Sequence, residues 1–158
     1  MADSVEFSAF SKRELGRLAK TFTLMGEEAV EQSRKVAFEI AELARDEIKA
    51  AGYSRTKSAG AVRKVVDGAT VSRTSKTGRL SFGFANQRLS GGGNTRQIWG
   101  GLEFGAPDNK YLQFPRWSGA YGRGSRGWFI YPTLRKIQPE LTLRYIKAMG
   151  QAVKEWPN

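Results

Sequence analysis

The chain has 158 residues, a formal net charge of +11 and neither cysteine nor histidine. That length suits one domain that buries a core without disulfides or a metal. The composition excludes thiol nucleophiles, imidazole bases and the usual zinc and copper ligand sets; carboxylates, lysines, tyrosines and hydroxyls remain, and a binding or structural protein without a cofactor is the expectation.

The opening Met1-Ala2-Asp3-Ser4-Val5-Glu6 places no basic patch ahead of an apolar run, so no secretory signal is expected. No stretch approaches the ~20 apolar residues of a membrane span. A soluble protein is the expectation, and the absence of cysteine fits a reducing compartment. Residues 1–10 read as a flexible lead-in, with a short alternating stretch from Val5 to Phe10. Ser11 with Glu14 has the form of a capping box, and Leu15, Leu18, Ala19 and Phe22 share one face of the helix that follows. Gly26 marks a break. From 27 to 51 a long amphipathic helix is expected, with Val36, Ile40, Leu43, Ala44 and Ile48 as its apolar stripe and Gly52 as its stop.

Residues 53–60 form a basic connector, and 61–67 suit a short helix. After Gly68 the period changes. The runs 70–74, 79–85, 96–104 and 128–131 read as four short strands, with Leu80, Phe82 and Phe84 on one face. Val36, Ile40 and Leu43 are expected to pack on that face. Ser90-Gly91-Gly92-Gly93-Asn94 reads as a hairpin tip within a mobile loop, 86–95, because no phosphate-loop pattern surrounds its glycines. Pro132 suits the first turn of a closing helix, which restarts at Pro139 and runs to Trp156. The resulting expectation is a single α+β domain over 1–158. An antiparallel sheet of about four strands would pack against a long N-terminal helix and a C-terminal helix, with a long basic aromatic loop.

Charge is unevenly placed. Residues 1–52 hold ten acids and eight bases, whereas 53–158 hold five acids and eighteen bases. That asymmetry points to a polyanion or an acidic partner near the later part. No helix-turn-helix, zinc-finger or RNA-recognition signature is present, so sequence-specific DNA reading has no support. The acids outside the N-terminal helices do not cluster. Glu103, between Leu102 and Phe104, suits an ion pair or hydrogen bond within the subunit or across an interface. The stretch 105–127 mixes Lys110, Arg116, Arg123 and Arg126 with Tyr111, Phe114, Trp117 and Tyr121, and is expected to be mobile until a partner orders it. Such residues suit a protein interface, a loop folded over its own sheet, or contact with nucleic acid.

Three segments carry a resemblance. They are Thr77-Gly78-Arg79-Leu80, then Trp99-Gly-Gly-Leu-Glu103-Phe104-Gly105, then Phe129-Ile130-Tyr131-Pro132-Thr133-Leu134. In that order, behind a long amphipathic helix, they resemble the neck, or tail-completion, proteins of long-tailed phages. Those show a T-G-x-L turn, an E-F-G strand end and a P-F-L-x-P-A-L-like entry to the final helix. The likeness covers about residues 11–156, except that the basic aromatic loop here separates the second motif from the third. The resemblance implies no catalysis. It implies a structural virion protein at the head–tail junction, assembled in the host cytoplasm as a homo-oligomeric ring around the DNA channel.

The neighbours so implied are a portal-side head-completion or stopper protein and a tail terminator or tail-tube protein. Genomic DNA would pass without sequence-specific contact, and no membrane is involved. Glu103, Arg116, Trp117, Tyr121, Arg123 and Arg126 are the expected interface residues, and Arg73, Arg79, Arg88 and Arg96 the candidate basic residues of the channel. Two alternatives stay open: a tail terminator capping the tube, and a small basic protein binding nucleic acid non-specifically.

Overall fold

Residues 27–51 carry neither glycine nor proline, and the computed structural model folds them into one helix, α1 (Glu27–Tyr53). At the standard rise α1 is about 40 Å long. The structure describes residues 4–6, 13, 17, 20, 24, 26–73, 78–81, 87–105 and 127–154. Arg13, Arg17, Lys20 and Leu24 are helical and exposed, while Leu15, Leu18, Ala19 and Phe22 lie outside the described residues.

The inward arc of α1 is Ala29, Val36, Ile40, Ala44 and Ile48, all buried. Leu43, expected in that arc, is 39% exposed. One residue is about 100° of helix rotation, which turns Leu43 away from the line through Ile40, Ala44 and Ile48. Gly52 does not stop the helix. It sits in the last turn, where an added Cβ would meet Val66 Cγ1 at 2.7 Å. The missing side chain thus lets α2 (Ala59–Asp67) lie close against α1, with Val62, Val65 and Val66 buried between them.

An exposed clamp closes that corner. The Tyr53 hydroxyl donates to the Asp67 carboxylate at 2.8 Å, and Lys49 Nζ lies 3.0 Å from it. Partial desolvation pushes the Asp67 carboxyl up, but the hydrogen bonds from Lys49 and Tyr53 outweigh it and hold it below its ordinary range.

The strands are short. β1 (Ser4–Glu6), β2 (Thr70–Arg73) and β3 (Gly78–Ser81) form an antiparallel ladder in the order β1-β3-β2. Val5 and Val71 both stand opposite Leu80. Phe82 and Phe84 lie outside the described residues.

The expected four-stranded α+β sheet is not the architecture, and the described chain is predominantly helical. Residues 96–104, expected as a strand, belong to the helix α3 (Thr95–Phe104). There Ile98, Trp99 and Leu102 have helical spacing on one buried face, and Asn94 starts the first turn. Residues 128–131, also expected as a strand, are the entry to α4 (Ile130–Lys154). An apolar run of four residues fits either a strand or a buried helix start, and here the helix begins at Ile130. The helix also does not restart at Pro139 but runs through it, losing one hydrogen bond on an exposed side.

The core lies where α4 crosses α1. Leu134, Ile137, Leu141, Tyr145 and Met149 recur every three or four residues along α4 and are buried. Ser33 Oγ of α1 is 2.9 Å from Tyr145 Oη, which marks the face that α4 turns toward α1. Phe129, Ile130 and Leu102 are fully buried at the other end of this core.

Burial decides the cost of trimming α1. Ile48→Ala removes a fully buried side chain and is expected to cost about 2–5 kcal/mol. Leu43→Ala should cost less than ~1 kcal/mol. Urea unfolding of both variants checks this, and equal losses would place Leu43 in the core.

Candidate functional site

The glycine triplet turns the chain tightly into α3. Leu89 N–H donates to the Gly93 carbonyl and Thr95 N–H to that of Gln87, with Gly92 and Gly93 at φ 84° and 76°. Asn94 then caps α3 in a reciprocal box. Its Oδ1 accepts from Gln97 N–H at 3.1 Å, and Gln97 Oε1 accepts from Asn94 N–H at 3.2 Å. Thr95 is fully buried, and its Oγ1 accepts from Gln87 N–H. So fixed, α3 delivers Glu103 to the interior one residue from its end.

Glu103 has no exposed surface. Its Oε2 accepts from the N–H groups of Phe129 and Ile130, both at 2.9 Å, and its Oε1 from Tyr131 N–H at 2.8 Å. These N–H groups belong to the amino end of α4, where no carbonyl of the helix itself can reach them. The helix dipole also favours a negative charge at that end. A residue 26 positions upstream of Phe129 therefore does the work of a local N-cap.

The approach leaves no room for a side chain at Gly127. Its φ is +75°, and an added Cβ would collide with Glu103 Oε1 and lie 2.9 Å from Tyr131 Cβ. Phe104 packs on Tyr131 with ring centroids 5.3 Å apart. From the far side, Arg55 Nη2 donates to the Trp128 carbonyl at 2.8 Å, and its guanidinium lies 5.6 Å from the Trp128 ring centroid. Arg55 Nε is buried and has no hydrogen-bond partner. The two ends of 105–127 are thus pinned to each other and to the segment after α1.

A buried carboxylate committed to three amides is a latch and offers nothing to a substrate or metal. Among the described residues no group of acids could hold a metal ion, and no helix is long and apolar enough to cross a membrane.

The other expected site residues fall as follows. Arg73 is exposed, 3.3 Å from Glu31 and 5.1 Å above the Phe38 ring. Arg88 and Arg96 are exposed on either side of the Asn94 turn, and Lys64 Nζ donates to the Arg88 carbonyl at 2.8 Å. Arg79 stands in β3 opposite Ser72 and Glu6. Arg88 and Arg96 thus share one end of α3, whereas Arg73 is engaged with α1. Arg116, Trp117, Tyr121, Arg123 and Arg126 lie outside the described residues. Sequence reasoning missed Arg55 and Gly127, which carried no local signal, and the Asn94–Gln97 box, which did.

Comparison with protein-family models, with curated proteins and with solved structures finds no match to this chain.

Removing the Glu103 carboxylate leaves two buried donors and one part-buried donor without an acceptor, at up to ~1–3 kcal/mol each. That sum approaches the whole stability of an ordinary domain, about 5–15 kcal/mol. Glu103→Ala should therefore barely fold, with Glu103→Gln intermediate. Gly127→Ala should lower the melting temperature, whereas Gly100→Ala, with open space around its Cβ inside α3, should raise stability by ~0.5–1 kcal/mol. A harmless Gly127→Ala would contradict the latch geometry.

Proposed function

We propose that the chain is a structural subunit of the phage head–tail junction, a neck or tail-completion connector. It forms a ring around the DNA channel between the portal-side connector and the tail tube. One observation carries this reading. The second and third motifs of the resemblance, far apart in sequence, meet through the hydrogen bonds of Glu103 to Phe129, Ile130 and Tyr131. A contact between the E-F-G segment and the entry to the last helix gives both motifs a common reason to exist. It also makes the length between them immaterial to the latch, which accommodates the long basic insertion.

The exposed Arg88 and Arg96 add a sequence-blind positive surface of the kind a DNA channel uses. Translocating DNA calls for weak contact, so the expected affinity is a Kd of roughly 10⁻⁴–10⁻⁶ M at physiological salt.

Native mass spectrometry and electron microscopy of the purified chain test the reading. Rings with a central opening, together with weak salt-sensitive DNA binding, are expected. A monomer binding DNA at nanomolar Kd would instead favour the nucleic-acid-binding alternative. Rings that attach to tail tubes but not to filled heads would favour the terminator. Deleting residues 118–125 should keep the fold and abolish joining of heads to tails; normal infectious particles from that deletion would sink the interface role of the insertion.

A further inference from the structure

Two helices turn a solvent ridge away from the core, and the ridges carry opposite net charge. On α1 the ridge is Glu28, Lys35, Glu39, Leu43 and Asp46, all exposed. On α4 it is Lys136, Glu140, Leu143, Ile146 and Lys147, with Glu140 paired to Arg144 Nη2 at 2.6 Å and Leu143 67% and Ile146 53% exposed. Each ridge therefore has an apolar centre, Leu43 at 39% exposure on one and Leu143 on the other. Glu39 and Asp46 flank the first, while Lys136 and Lys147 flank the second. Exposed large apolar side chains inside a charged rim are the pattern of an interaction surface.

The two ridges cannot meet within one molecule. Tyr145 faces α1 through Ser33, and Leu143 lies about 160° of helix rotation from Tyr145, on the far side of α4. We propose that the α4 ridge of one copy docks on the α1 ridge of the next, so that Leu143 and Ile146 cover Leu43 and the lysines meet the acids. Charge complementarity selects a second copy as the occupant, because the acidic counterpart that this basic ridge needs stands on the chain itself. A contact between two different faces is heterologous, and repeated around an axis it closes into a ring. The inference rests on the ring reading and deepens it by naming the two faces.

The test reverses each ridge separately. Lys136→Glu with Lys147→Glu makes both ridges acidic, and Glu39→Lys with Asp46→Lys makes both basic. Each variant alone should fold, by circular dichroism, yet need at least tenfold higher concentration to assemble. An equimolar mixture should assemble like the parent, since both pairings are then complementary. Should a reversed pair not fold, Glu39→Gln with Asp46→Asn replaces it and should shift the assembly midpoint in the same direction.

Variants that assemble alone like the parent would overturn these faces and leave the ring reading standing. A mixture that fails to recover would overturn heterologous pairing. A parent that stays monomeric at every accessible concentration would overturn both readings.

Discussion

The amino end of α4 turns three backbone N–H groups inward, away from water, and Glu103 supplies the acceptors they need. Much else follows from that requirement. α3 must end where it does for the carboxylate to reach. Gly127 must lack a Cβ, and the Gly105–Gly127 segment must leave and return at one point. The burial of Phe129 and Ile130 depends on the same contact, because the apolar entry to α4 cannot be buried unless its N–H groups are satisfied.

The arrangement separates stability from function along the chain. Residues held by the latch, by the valines of α2 and by the α1–α4 crossing form the scaffold. The charged ridges of α1 and α4 are left to the surface. A scaffold whose closing contact joins two distant segments tolerates variation between them, since only the two ends must meet.

Parts of this were legible in the residues alone. The long glycine- and proline-free run announced α1, and the alternation just after Gly68 marked the short strands β2 and β3. Glu103 stood out as an acid between apolar neighbours. What was misread shares a cause. Short apolar runs such as 128–131 fit a strand or a buried helix start, and periodicity cannot separate them over so few residues. In 96–104 the apolar residues around the glycine pair suit a strand, but the Asn94–Gln97 capping box in front of them is the stronger signal and starts a helix. The partner of Glu103 could not have been found locally, because a long-range carboxylate cap leaves no pattern in either segment. Arg55, which holds Trp128 from the far end of α1, is hidden for the same reason.

Native-state hydrogen exchange at Phe129, Ile130 and Tyr131 tests the latch most directly. If Glu103 holds these amides, they should exchange as slowly as those of Leu141 and Tyr145 in the middle of α4, through global unfolding. Amides at 129–131 that exchange at the rate of an open helix end, while the middle of α4 stays protected, would contradict it.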